Sequence, residues 1–277
     1  MKQDEDKKDI SYLFFIFGGI RFQILLLLKN KSNSFTELKK RLYDEKGITT
    51  ALNNLEHHIN ILLENKIIKK EQNLFYLTSL GANLFDLTYS MQFVWEMKDY
   101  FVDHDINDLP LRFRLSLGIF NNVQIIRGHP KIIRRLIEMY NNADRFIYNV
   151  LYEIEGINEI TTLLKTKLEN NKSFHIKTIF GENSIFDTIR HENISEFKIF
   201  KTNGKIEHKM LTKIKISLVV TDKSAFIVFP KHGEENPDMN FIIYGEDEQF
   251  HNWCLNYFYL SWDNADIFDE KRLFSIH

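Results

Sequence analysis

Residues Tyr12 to Leu28 read YLFFIFGGIRFQILLLL. A stretch this apolar belongs either in a bilayer or inside a fold. Gly18-Gly19 splits it, and Arg21 and Gln23 interrupt it, so it falls short of the ~20 uninterrupted apolar residues that a membrane span requires. The preceding MKQDEDKKD mixes acidic and basic residues, and no small-residue cleavage site follows, which argues against a secretory leader. The expectation is a first helix buried on most sides, in a chain that makes no membrane contact.

Such a helix needs partners to cover it, and the next fifty or so residues supply them. Ser34-Phe35-Thr36-Glu37 fits a capping box, in which the Ser hydroxyl accepts from the amide three residues on and the Glu reaches back. Phe35, Leu38 and Leu42 form the apolar face of the helix it opens, Lys39 and Lys40 lie on or beside its other side, and Asp44-Glu45-Lys46-Gly47 ends it. A third helix starts at Thr49 or Thr50, either of which can cap it. Leu52, Leu55, Ile59 and Leu62 recur at helical spacing and predict a buried stripe. The opposite face carries Thr50, Asn53 and His57, flanked by Asn54 and Asn60. Short polar side chains on the leading turns of a helix suit the major groove, where Asn forms a bidentate pair with adenine. Two short strands follow, Ile67–Glu71 and Leu74–Thr78, around Gln72-Asn73, with Lys69 and Lys70 placed to reach phosphates. Helix, helix, helix and basic hairpin, in that order, predict a winged helix-turn-helix over 11–78. Its expected DNA-contacting residues are Lys39, Lys40, Thr49, Thr50, Asn53, Asn54, His57, Lys69, Lys70, Gln72 and Asn73.

With 277 residues, 44% hydrophobic and 27% charged, the chain has material for two cored units. Its net charge of -2 gives no whole-chain basic balance, so any nucleic-acid contact must be local. The single cysteine, Cys254, excludes an intrachain disulfide and a thiolate zinc site, and points to a reducing cytoplasm. Within Trp253-Cys254-Leu255 it reads as a buried small hydrophobe. No cofactor and no metal site are expected.

Residues 79–103 predict one long amphipathic helix with a stripe of Leu80, Leu84, Leu87, Met91, Val94, Trp95 and Phe101. A stripe of that length suits pairing between two copies of the chain, or packing on the chain's own second domain. Asp103 to Pro110 is a polar break, and helical segments continue to about 143, giving a helical linker and dimerisation region over 79–143. From Arg145 short apolar runs alternate with a helix, so 144–277 predicts an α/β domain. The overall class is α+β.

Several segments carry a family resemblance. His58 to Ile68, HINILLENKII, resembles the HLxxLxxxGLI end of the recognition helix in ArsR-type and MarR-type regulators, with Lys66 in place of the usual Gly. Leu74 to Gly81, LFYLTSLG, resembles the YxLTxxG wing exit of the same proteins. His104 to Arg114 resembles the HDLxxIPxxLL segment of archaeal winged-helix regulators of the methanogenesis-regulator type, and Trp253 to Trp262 their WxxxLFxxYW ending; Thr221-Asp222-Lys223 sits between two apolar strands in keeping with this. The resemblance implies an archaeal one-component transcription regulator whose C-terminal effector-sensing domain is related to phospholipase D and to TrmB-type sugar sensors.

Phospholipase D chemistry uses His-x-Lys-x4-Asp, with the His as nucleophile. At the strand before Asp222 those His and Lys positions hold Lys215 and Ser217, and at His175-x-Lys177 the last position is Glu182. The domain is therefore expected to be a degenerate sensor and the chain not an enzyme. Arg112, Arg114, Tyr148, Tyr152, Lys213 and Lys215 are the candidate contacts for a small anionic effector. The leading expectation is a homodimeric, sequence-specific binder of double-stranded DNA. The alternatives are a winged helix used for protein contacts, and a phosphodiesterase.

Overall fold

The single first helix expected from the sequence is two helices, broken at the glycine pair. The computed structural model describes residues 10–120, 122–154, 158–186, 198–269 and 272. Helix α1 (Ile10–Ile16) and helix α2 (Gly19–Asn30) meet at a bend of 68°, with Gly19 at φ 58°, where a side chain would be strained. Arg21 fits at the bend because it closes the open end of α1. Its Nε donates to the carbonyls of Phe15 (3.0 Å) and Ile16 (3.2 Å), and its guanidinium lies 4.1 Å from the centre of the Phe15 ring. A buried cation held by carbonyls explains how a charge survives inside this apolar run. No single described helix is long and apolar enough to cross a membrane.

The chain divides into two compact units, 1–92 and 93–277. The first continues with β1 (Asn33–Ser34), α3 (Phe35–Lys46), α4 (Leu52–Glu64), β2 (Ile68–Glu71) and β3 (Leu74–Leu77), and runs into α5 (Ser79–Glu96). The strands form a sheet of order β1-β3-β2. At the hairpin tip Gln72 and Asn73 both have positive φ (48° and 66°), the twist that closes a two-residue hairpin. Ile24, Leu25, Leu38, Leu42, Leu55, Ile59, Leu62 and Phe85 form the core.

The second unit contains α6 (Lys98–Phe101), α7 (Leu111–Leu115), β4 (Gln124–Arg127), α8 (His129–Asn142), β5 (Phe146–Ile154), α9 (Asn158–Asn170), β6 (His175–Phe186), α10 (Lys198–Thr202), β7 (Ile206–Leu211), β8 (Ser217–Thr221), β9 (Ala225–Val228), β10 (Phe241–Gly245), α11 (Glu248–Asn264) and β11 (Asp266–Ile267). Its sheet has the order β11-β7-β6-β5-β8-β9-β10-β4, parallel across β5, β6 and β7 and antiparallel elsewhere. Alternate residues feed two cores. Tyr148, Val150 and Tyr152 pack with Phe250, Trp253 and Phe258 of α11, while Ile147 packs with Met139 and Tyr140 of α8 and Leu168 of α9. Every residue of β8 and β9 is buried, as suits strands covered on both faces.

The stretch 79–143, expected as a helical linker, is not one. Its long helix ends at Glu96, and β4 pairs antiparallel with β10 and so belongs to the second sheet. Four residues, QIIR, are too few to show a period in the sequence. The break between the two units falls inside α5, at Gln92/Phe93.

Candidate nucleic-acid interface

The capping box forms as its residues dictate. Glu37 N donates to Ser34 Oγ (3.3 Å), and Ser34 N donates to Glu37 Oε2 (2.7 Å). The Ser34 bonds hold the Glu37 carboxyl below its ordinary pKa. Helix α3 turns Lys39 and Lys40 to solvent. Helix α4 buries Leu55, Ile59 and Leu62, and it exposes Asn53, Asn54, His57 and Asn60.

Three expectations for the start of α4 are corrected. The residue before the helix is Ala51, and no side chain caps it. Thr50, expected on the outward face, is buried at 8% exposure and accepts from Asn54 Nδ2 at 3.2 Å. It orients Asn54 and does not itself reach outward. Leu52, expected in the buried stripe, is 54% exposed. Leu52, at the start of α4, therefore stands clear of the core that Leu55 joins. Thr49 is exposed.

Lys69, Lys70, Gln72 and Asn73 are exposed on the hairpin. Lys69 Nζ pairs with Glu71 Oε1 at 2.8 Å, and Lys70 Nζ lies 5.6 Å from the Phe75 ring centre. Sequence reasoning missed the link behind this surface. Arg21 Nη1 donates to His58 Nδ1 at 3.0 Å, tying the α1–α2 bend to α4. Burial, Arg21 and His57, in that order, hold the His58 pKa below its ordinary value. The lone cation in the apolar run was the available signal.

In the second unit the candidate effector residues are engaged otherwise. Lys213 pairs with Glu235, and Lys215 pairs with Asp108 at 2.9 Å. An anion drawn to these lysines would have to displace both carboxylates. Tyr148 and Tyr152 are buried at 6% and 8% exposure within the core. The Arg112 guanidinium lies 5.1 Å from the Phe113 ring centre, and Arg114 Nη1 reaches Asn107 Oδ1 at 3.5 Å.

The phospholipase-like letters are likewise occupied. The Tyr148 hydroxyl lies 2.8 Å from His175 Nε2, and His175 Nδ1 lies 3.2 Å from the Ser173 carbonyl. A neutral ring with its proton on Nδ1 satisfies both partners. Lys177 pairs with Glu207 at 3.1 Å, and Glu182 pairs with Arg272. Asp222 Oδ1 accepts from the amides of Asp144 and Arg145. Burial pushes the Cys254 thiol up.

No family model matches the sequence, and no curated protein matches it. Among solved structures the chain is similar to TrmBL2, an archaeal chromatin protein described as showing a novel mode of DNA binding. Identity is 13% over 88% of this chain and 92% of that one, with a TM-score of 0.39. It is also similar to NucT from Helicobacter pylori, at 11% identity over 53% of this chain and 99% of that one, TM-score 0.39. A third is polyphosphate kinase from Porphyromonas gingivalis, at 11% identity over 69% of this chain and 27% of that one, TM-score 0.31. The expectation that the chain is not an enzyme is corrected at this point. That kinase, a phosphatidylserine synthase and two methyltransferase-type proteins are among the similar structures, so likeness of fold gives that exclusion no support. No likeness at this level assigns the chain a family or an activity.

Proposed function

We propose that the first unit is a winged helix that binds double-stranded DNA in a sequence-dependent way. In this reading α4 enters the major groove by its first two turns, and the β2–β3 hairpin lies along the phosphates. The observation that carries the reading is the surface of α4. Asn53, Asn54 and His57 are exposed on the face of α4 turned away from Leu55, and the hairpin leaving the same helix bears exposed Lys69 and Lys70. Asn53 and Asn54 supply donor and acceptor together, which base edges require. The lysines supply charge without sequence information. Lys39 and Lys40 on α3 extend the basic surface. Thr50 acts from behind, by holding Asn54.

Two copies pair through α5 in this proposal. Leu80, Leu87 and Met91 are 50%, 46% and 54% exposed, and with Leu84 they repeat at the four–three spacing of a helix-pairing seam. A two-fold pair would suit a palindromic site. The ArsR-like and MarR-like segments at 58–68 and 74–81, and the methanogenesis-regulator-like segments at 104–114 and 253–262, suggest control of transcription as the use of that binding.

The test is selection of duplexes from a random pool by the full chain, followed by titration of the enriched site. Asn53→Ala is expected to lose about 1–3 kcal/mol on the selected site and little on random DNA. Replacing Lys69 and Lys70 together by Ala is expected to weaken both, and to flatten the salt dependence by about 0.9 in log–log slope for each phosphate that is no longer neutralised. Failure to enrich any duplex, with a protein partner recovered instead, would move the function to protein contacts.

A further inference from the structure

Leu52 is the residue of α4 that neither the core nor the polar face accounts for. The spacing that buries Leu55 (0%), Ile59 (2%) and Leu62 (0%) ought to bury it too, yet it stands 54% exposed in the first turn. Four residues on, about 40° round the helix, lies exposed Glu56. The flank that holds Leu52 and Glu56 borders the Asn53–His57 face on one side and the buried stripe on the other. With the first turn of α4 in the groove, the exposed Leu52 is carried toward base edges beside Asn53. The apolar feature of a base edge in the major groove is the C5-methyl group of thymine.

We infer that Leu52 recognises a thymine by packing on its C5-methyl group. The inference rests on the DNA-binding reading above and adds a base preference to it. Among the described residues, Leu52 lies outside the apolar cluster that the rest of the stripe joins. Thr50 and Asn54 fix the backbone beside it through their 3.2 Å bond, so the approach of Leu52 to a base is set by the same turn that presents Asn53.

The test uses the full chain and the duplex that it selects. Each thymine is replaced in turn by deoxyuridine, which removes one methyl group and leaves every hydrogen-bonding atom in place. At one thymine per half-site the wild-type chain is expected to lose affinity about fourfold, the weight of one buried methyl group. In Leu52→Ala that loss should vanish at the same position and persist elsewhere. In Leu52→Met, which keeps an apolar side chain, it should remain. Leu52 is exposed, so both variants should unfold at the wild-type temperature. Specific binding with a deoxyuridine penalty that Leu52→Ala leaves intact would overturn the role of Leu52 and spare the DNA-binding reading. Absence of any selected duplex would overturn both.

Discussion

Gly81→Ala should destabilise the first unit although alanine is the better helix former. Gly81 lies three residues into α5, and a Cβ built there would meet the Ile67 carbonyl oxygen at 2.0 Å and its carbon at 2.9 Å. Ordinary contact is about 3.5 Å, so α5 would have to retreat by more than about 1 Å. The obstacle is backbone, and it is held in place. Ile67 O accepts from Thr78 N (3.0 Å) and Thr78 Oγ1 (3.1 Å), and Thr78 Oγ1 accepts from Gly81 N at 3.0 Å. Overpacking costs about 1–3 kcal/mol, and a strained or broken hydrogen bond adds about 0.5–1.5. Helix propensity returns about 1 kcal/mol to alanine. The balance is a loss of about 2 kcal/mol, or about 8–16 °C for a unit of this size. Calorimetry of the full chain, with hydrogen exchange at the α4 amides to mark the transition that belongs to the first unit, would measure it. Asn83→Ala, at an exposed position of the same helix, is the control and should be neutral or stabilising by about 0.5 kcal/mol. An unchanged or raised midpoint for Gly81→Ala would show that helix propensity governs this position and that α5 moves off Ile67 at little cost.

Arg21→Met should lower the stability of the first unit by about 2–4 kcal/mol, because it strips the Phe15 and Ile16 carbonyls and His58 of their shared donor; a loss below about 1 kcal/mol in urea unfolding would remove the hub role. His58 is held below its ordinary pKa, so its contribution is complete above the unfolded value of about 6.5 and fades as pH falls below it. His58→Gln should therefore reduce the drop in unfolding temperature between pH 7.5 and pH 5.5, and an identical drop in wild type and variant would contradict the assignment. Under the proposed pairing through α5, Met91→Lys on its exposed seam should turn a dimer into a monomer in sedimentation without lowering the unfolding temperature of the monomer, whereas a wild-type chain that is already monomeric, or an unaffected dimer, would refute that pairing. Lys66→Gly should stabilise the first unit by about 0.5–1 kcal/mol, since it relieves a left-handed residue; no gain in urea unfolding would mean that Lys66 is not strained.

What the sequence made legible is what neighbouring residues decide among themselves. Ser34 and Glu37 close their box from three residues apart, and Gln72-Asn73 turns a hairpin within four. Leu55, Ile59 and Leu62 declare a face that any covering layer would bury. Arg21 was not legible as a cap, because its carbonyl acceptors exist only once the helix has broken at Gly18-Gly19, and its partner His58 lies 37 positions away. In the second unit, Tyr148 and Tyr152 share a strand face as the alternation requires. Whether that face met a ligand or α11 depended on a helix about a hundred residues later.

Thr50 and Leu52 exchange the roles their residue types suggest, and the exchange has one cause. A periodic stripe predicts burial only where the neighbouring layer extends as far as the helix does. The layer under α4 covers Leu55 and stops short of Leu52, while the chain entering the helix folds Thr50 inward to hold Asn54. Lys66 illustrates the converse. It adopts φ 58°, a conformation that favours glycine, yet Lys66 N and Ile67 N still donate to Leu63 O (2.9 Å) and Leu62 O (3.0 Å), the bonds a glycine would close there. The turn into the hairpin is thus set by the buried Leu62 and Ile67 that it must bring together, and the residue at its apex bears the strain. The direction in which the hairpin leaves α4 is consequently fixed by core residues. For that reason, under the proposed DNA binding, substitutions at the exposed Lys69 and Lys70 should change affinity without changing the geometry of approach.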